Sequence, residues 1–174
     1  MSLPSLSLVL GGAASGKSAF AEALVDRHGA NRLYIATAQA WDDEMRTKIS
    51  LHLARRGPGW RTVEAPLNLI PALNAATGQN VVLLDCATLW LTNHMLAGSD
   101  VAAQTAQLLA ALQHCNAPVV VVSNEVGMGI VPETALGRRF RDAQGTLNQQ
   151  IAAQAGLVAM VIAGLPLVLK GHLP

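Results

Sequence analysis

The feature that most constrains this chain is Gly11-Gly12-Ala13-Ala14-Ser15-Gly16-Lys17-Ser18. It fits G-x-x-x-x-G-K-[ST], a loop whose successive backbone N–H groups converge on phosphate oxygens. Glycine lets the backbone curl that tightly. A helix starting at Lys17 adds its positive N-terminal end to the same spot. Such a loop needs a strand to deliver the chain and a helix to carry it away. Leu6-Ser7-Leu8-Val9-Leu10 supplies an apolar strand-like run, and Ala19-Phe20-Ala21-Glu22-Ala23-Leu24-Val25 is a strong helix former. In this pattern Lys17 reaches the β- and γ-phosphates and the Ser18 hydroxyl ligates Mg²⁺. The bland alternative is a glycine-rich turn without a ligand, and the strand–loop–helix context counts against it.

The rest of the chain repeats that alternation. Strands are expected at Leu6–Leu10, Arg32–Thr37, Val81–Asp85, Pro118–Ser123 and Leu157–Ile162, with a short one at Arg61–Glu64 and an edge strand at Pro166–Lys170. Several are continuous apolar runs, as in strands buried on both faces of a parallel sheet. Helices are expected at Lys17–His28, Asp43–Arg55 with Asp42 as its cap, Leu67–Ala76, Leu89–Leu96, Val101–Gln113 and Arg138–Ala155. Gly57-Pro58-Gly59 must end the second helix. The expected fold is α/β: a mostly parallel central sheet between helix layers, the three-layer arrangement of RecA-like P-loop NTPases. Its 174 residues suit a single domain, 1–174, with ligands at the carboxyl ends of the strands.

Composition removes several classes of function. The formal net charge is +1, which argues against a nucleic-acid coat or a polybasic membrane binder. Cys86 and Cys115 have neither metal spacing nor a disulfide framework and suit a reducing cytoplasm. The N-terminus lacks the positive region of a signal peptide. The longest apolar stretch, Leu157 to Leu169, is too short for a membrane span and contains Pro166.

Five further places carry candidate chemistry. Asp85 ends the run Val81-Val82-Leu83-Leu84, where a phosphate-loop protein places the acid that holds Mg²⁺ directly or through water. His52 falls on the expected helix 43–55, three residues after Ile49 and seven after Met45, so spacing alone leaves it a packed residue or a site residue. Around it stand Arg46, Lys48, Arg55, Arg56 and Arg61, either a solvated face or a polyphosphate-neutralising cluster. Asn124-Glu125-Val126-Gly127-Met128-Gly129-Ile130-Val131-Pro132-Glu133 follows an apolar core strand, a site position in this architecture. Thr37-Ala38-Gln39 ends the second strand and lines the same crevice. Asp142-Ala143-Gln144-Gly145 matches the D-x-x-G of GTPase switches, but within an expected helix, so it reads as chance; no N-K-x-D is present.

Taken together, the chain resembles the bifunctional adenosylcobinamide kinase/adenosylcobinamide-phosphate guanylyltransferases of cobalamin biosynthesis. The segments that carry the resemblance are Gly11–Ser18, Leu33–Thr37, Asp42-Asp43-Glu44-Met45, Trp60-Arg61-Thr62, Asn124 to Glu133, Phe140-Arg141-Asp142 and Asn148-Gln149. The Asn-Glu-Val-Gly-Met-Gly-Ile-Val-Pro run is far more specific than the phosphate loop. The resemblance implies that His52 accepts GMP covalently, and that Lys17 serves as a second catalytic group. It implies nucleotide contacts along 11–18, at Ala36, Thr37 and Ala38, at Arg55, Arg56, Gly57 and Pro58, and at Glu64 and Asp85. It implies Mg²⁺ on Ser18 and Asp85, and a substrate loop including Asn124, Glu125, Gly127, Met128 and Gly129. The sequence departs from the family pattern at Ala14, where a basic residue is usual, at Asp85 in place of Glu, and at Leu51-His52 in place of two histidines; the 55–59 segment also differs in detail.

The implied chemistry has two steps at one nucleotide site. ATP or GTP phosphorylates the alcohol of adenosylcobinamide; then GTP gives GMP to His52, which passes it to the substrate phosphate as pyrophosphate leaves. The partners so implied are adenosylcobinamide and nucleotide, with no nucleic acid and no membrane span, and a homo-oligomer, taken as a trimer. Two other readings compete: a small-molecule kinase without the transfer step, and a GTP-controlled binding module.

Overall fold

Four consecutive valines, Val119 to Val122, are wholly shielded from solvent, which requires cover on both faces of the strand that carries them. The computed structural model describes residues 2–39, 57 and 59–174. Among these, seven strands form one sheet in the order β3-β2-β4-β5-β1-β6-β7. They are β1 (Leu6–Gly11), β2 (Asn31–Ala36), β3 (Trp60–Glu64), β4 (Asn80–Asp85), β5 (Val119–Asn124), β6 (Leu157–Ile162) and β7 (Leu165–Lys170). The first six run parallel, and β7 returns antiparallel along β6. This is the α/β, mostly parallel arrangement expected. The phosphate-loop strand β1 is central, and β5 separates it from β4, whose last residue is Asp85.

The helices are α1 (Lys17–His28), α2 (Ile70–Asn74), α3 (Ala87–Leu96), α4 (Val101–His114) and α5 (Ala135–Gln154). Alternate strand residues divide into two cores. Leu6, Leu8, Leu33, Ile35, Val82, Leu84, Val119 and Val121 pack with Leu73 of α2, Trp90 and Leu91 of α3, Leu108 and Leu112 of α4, and Leu147 and Ile151 of α5. Val9, Tyr34, Leu83, Val120, Val122 and Val161 pack with Ala21, Leu24 and Val25 of α1. Period-two alternation thus sends one set of side chains to each helix layer.

Several boundaries differ from expectation for local reasons. Helix α5 begins at Ala135 rather than Arg138, because the Thr134 hydroxyl accepts from the Gly137 N–H and caps it. Helix α3 begins two residues early, capped by the Cys86 sulfur accepting from Leu89 N–H at 3.4 Å. Helix α2 is five residues long, not ten. The Leu67 carbonyl is taken instead by the Trp90 indole N–H at 2.9 Å and contacted by His94 Nε2 at 3.2 Å. Strand β7 starts at Leu165, and Pro166 is tolerated because the strand is an edge. The Asp142–Gly145 match lies inside α5. The expected helix 43–55 and its cap Asp42 lie outside the described residues.

Candidate functional site

The phosphate loop is built around an absent side chain. A Cβ on Gly11 would stand 2.4 Å from Ser15 Oγ and 2.8 Å from the Val161 carbonyl oxygen. Gly11 therefore lets residues 12–16 fold back over the end of β1. The Ser15 N–H donates to the Gly12 carbonyl at 3.3 Å, and Ala14 (φ 54°) and Gly16 (φ 93°) take left-handed conformations. For Ala14 that conformation costs about 1–2 kcal/mol, so the loop's closure must over-determine it. Gly16 is the N-cap of α1, and a Cβ there would meet Gly164 Cα at 3.0 Å. The Gly164 N–H in turn donates to the Ser15 carbonyl at 2.8 Å. The β6–β7 turn thus buttresses the loop from behind, a contact that sequence reading did not anticipate.

Lys17 lies half-buried at the first position of α1, and its Nζ donates to the Gly12 carbonyl at 3.1 Å. That bond curls the side chain across the loop and leaves two ammonium protons for phosphate oxygens. Ser18 follows in the first turn of the same helix. The loop's open side therefore carries backbone N–H groups, a helix N-terminus, a cation and a hydroxyl.

Strand β4 brings Asp85 to the same end of the sheet. Tyr34 reaches from β2 and donates its hydroxyl to Asp85 Oδ2 at 3.1 Å. Next to it, the wholly buried Thr37 hydroxyl donates to the Cys86 carbonyl and accepts from the Cys86 N–H, both at 2.8 Å. The Thr37 N–H donates to the Asp85 carbonyl at 3.1 Å, and the Asn93 amide donates to the Thr37 carbonyl at 2.9 Å. Thr37 therefore locks the backbone that aims Asp85. Burial, and then the Asp85 charge, push the Cys86 thiol up to about 12, while Lys17 pulls the other way. Its sulfur serves as the cap of α3.

The end of β5 is the third wall. Gly11 and Asn124 are register partners, and the Glu125 N–H donates to the Gly11 carbonyl at 3.1 Å. Asn124 is pinned by its backbone: its N–H donates to Thr88 Oγ1 at 2.8 Å and its carbonyl accepts from Asn148 Nδ2 at 3.0 Å. Behind it, the Ser123 hydroxyl donates to Asn148 Oδ1 at 2.7 Å, and Gln144 Nε2 bonds both groups at 2.9 Å. Beyond, the Gly127 N–H donates to Glu125 Oε1, Arg141 Nη2 donates to the Gly127 carbonyl, and Arg138 holds the Pro132 and Glu133 carbonyls at 3.0 and 2.6 Å. Met128, Ile130 and Val131 project into solvent.

The structure thus brings residues 11–18, Asp85 and the start of the 124–134 loop to one end of the sheet. Ala36 and Ala38 flank Thr37 there, half-buried, and the exposed Glu64 pairs in register with Ala36. Gly57 is exposed. His52, Arg46, Lys48, Arg55, Arg56 and Pro58 lie outside the described residues. Sequence reading missed Tyr34, Thr88, Asn93 and Gln144 as supports of the site. Only polar residues interrupting apolar runs could have marked them. A separate open cavity of about 470 Å³ lies between α2 and α4, lined by Leu67, Asn68, Ile70, Pro71, His94, Gln104 and Gln107, and contains no phosphate-loop residue.

A protein family described as cobinamide kinase / cobinamide phosphate guanyltransferase matches residues 7–169. The chain belongs to this family. It is 45% identical over 168 residues to the bifunctional adenosylcobalamin biosynthesis protein CobP of Pseudomonas aeruginosa, covering 95% of this chain and 97% of that one. It is 45% identical over 179 residues to the bifunctional adenosylcobalamin biosynthesis protein CobU of Escherichia coli K12, covering 94% and 98%. Among solved structures, the RadB recombinase superposes with a TM-score of 0.48 at 18% identity, over 91% of this chain and 74% of that one. Membership makes the two reactions of the family, kinase and guanylyltransferase, those of this chain.

Thr37→Val keeps the shape and removes the hydroxyl, leaving the buried Cys86 N–H unpaired and its carbonyl with only the Trp90 N–H. Urea denaturation should report a loss of about 1–3 kcal/mol. A loss within the error of the wild-type value would contradict the lock described here.

Proposed function

We propose that one phosphate cradle, residues 11–18, serves both reactions of the family in this chain, and that residues 1–174 act as a single catalytic domain. The supporting observation is that Lys17, at the start of α1 on the loop, and Asp85, at the end of β4, lie at the same carboxyl end of the sheet. In the kinase step the substrate alcohol attacks the γ-phosphate of ATP or GTP. The protein's part is positioning and charge neutralisation, by the loop N–H groups and Lys17. In the transfer step neutral His52 attacks the α-phosphate of GTP, forming a P–N bond as the P–O bond to pyrophosphate breaks. The loop holds the pyrophosphate, and the substrate phosphate then takes GMP from His52. Ser18 and Asp85 offer oxygen donors, which suit Mg²⁺; bound there, it would neutralise phosphate charge. Ala36, Thr37, Ala38, Arg55, Arg56, Gly57, Pro58 and Glu64 would frame the nucleotide, with Thr37 acting through its backbone. The loop from Asn124 through Glu125, Gly127, Met128 and Gly129 would face the cobinamide substrate.

We assign the chain to the cytoplasm as a homo-oligomer. No helix among the described residues is long and apolar enough to cross a membrane. Edge strand β7 leaves Leu165, Leu167 and Leu169 more than half exposed. Exposed apolar edges invite pairing unless covered, and a second copy of this chain, in a trimer, is the cover we assign. Light scattering should give a trimer for the wild type and a smaller species for Leu167→Lys. A monomeric wild type at micromolar concentration would contradict the assignment.

His52→Ala should abolish covalent labelling by α-labelled GTP while retaining kinase activity. Label retained on that variant would remove His52 from its role. An unlabelled wild type would favour a kinase without the transfer step.

A further inference from the structure

We propose that Arg141 binds the phosphate monoester of the acceptor in guanylyl transfer. This rests on the two-reaction reading above. The two acceptors, adenosylcobinamide and its phosphate, differ by one phosphate group. A residue that reads this difference must be a cation beside the cradle and not committed to the nucleotide. Lys17 is committed to the loop and the nucleotide phosphates.

Arg141 is joined to the cradle by three successive hydrogen bonds. Glu125 N–H donates to the Gly11 carbonyl, Gly127 N–H to the Glu125 carboxylate, and Arg141 Nη2 to the Gly127 carbonyl. Among the described residues no carboxylate pairs with Arg141. A guanidinium has five donors in a planar fork that matches two phosphate oxygens, and one bond to a neutral carbonyl leaves both its charge and most of its donors unmet. Arg138, one turn earlier on the same helix face, is more fully committed, to the Pro132 and Glu133 carbonyls. The first turn of α5 offers neither arginine an acidic partner.

The surroundings suit the rest of this acceptor. The loop that Arg141 anchors carries Met128, Ile130 and Val131 exposed at 79%, 97% and 62%. A phosphate on an arm of a large macrocycle presents a dianion and a broad apolar face together. The geometry pairs the fork with the first and the loop tip with the second.

The test is a split between two Michaelis constants. Arg141→Gln should raise KM for adenosylcobinamide phosphate in guanylyl transfer about 10- to 100-fold. KM for adenosylcobinamide in the kinase reaction should move less than about threefold, the scale of a neutral contact. Arg141→Lys, which keeps the charge and loses the fork, should recover part of the transfer KM and provides the same split if the glutamine variant does not fold. Arg138→Gln, which loses loop anchors, should move both constants together. Equal shifts in both constants for Arg141→Gln would reduce Arg141 to a loop anchor and overturn the proposal, as would no shift in either. A wild type that takes no covalent GMP from GTP overturns the two-reaction reading and this site with it.

Discussion

The site depends on the missing side chain of Gly11. With a Cβ there, Ser15 Oγ and the Val161 carbonyl would both collide with it, and the chain could not turn from β1 into α1 within six residues. Much else follows from that turn. It sets the N-terminus of α1 at the carboxyl end of β1, places Lys17 over the loop, and brings Ser15 against the β6–β7 turn. It also leaves the Gly11 carbonyl free to receive the Glu125 N–H, which ties the cradle to the loop that follows β5.

The carboxyl edge of the sheet is rigid for a second reason. Neighbouring strands β4 and β5 end in polar residues that side chains from elsewhere hold. Thr37 holds Cys86, Tyr34 holds Asp85, and Thr88 with Asn148 holds Asn124. Fixed donors and charges favour developing phosphate charge because they need no reorganisation during reaction. A scaffold set in this way is compatible with attack at two different phosphorus atoms. In the reading proposed above, the triphosphate stays in one cradle and the attacking group changes.

The sequence made the phosphate loop legible because its residues are contiguous and its mechanism is local. The core strands were legible because burial on both faces leaves unbroken apolar runs such as Val119 to Val122. The supports were not. Tyr34 and Asp85 are 51 positions apart, Thr37 and Cys86 are 49 apart, and periodicity reports only near neighbours. The short α2 escaped for a related reason, since the Leu67 carbonyl is taken by Trp90 and His94 from another helix. Asp85 and the Asn124 loop could be placed at the carboxyl end of the sheet because strand-end position is itself a local signal in an α/β fold. His52 was ambiguous by spacing, and only the family resemblance singled it out.

The central claim is that one cradle serves both reactions. It is tested most directly by measuring kinase and guanylyltransferase rates of Lys17→Ala side by side at saturating nucleotide. The account predicts that both fall, by comparable factors, because both transition states place phosphate charge on the same loop. Full guanylyl transfer beside a lost kinase activity would contradict it.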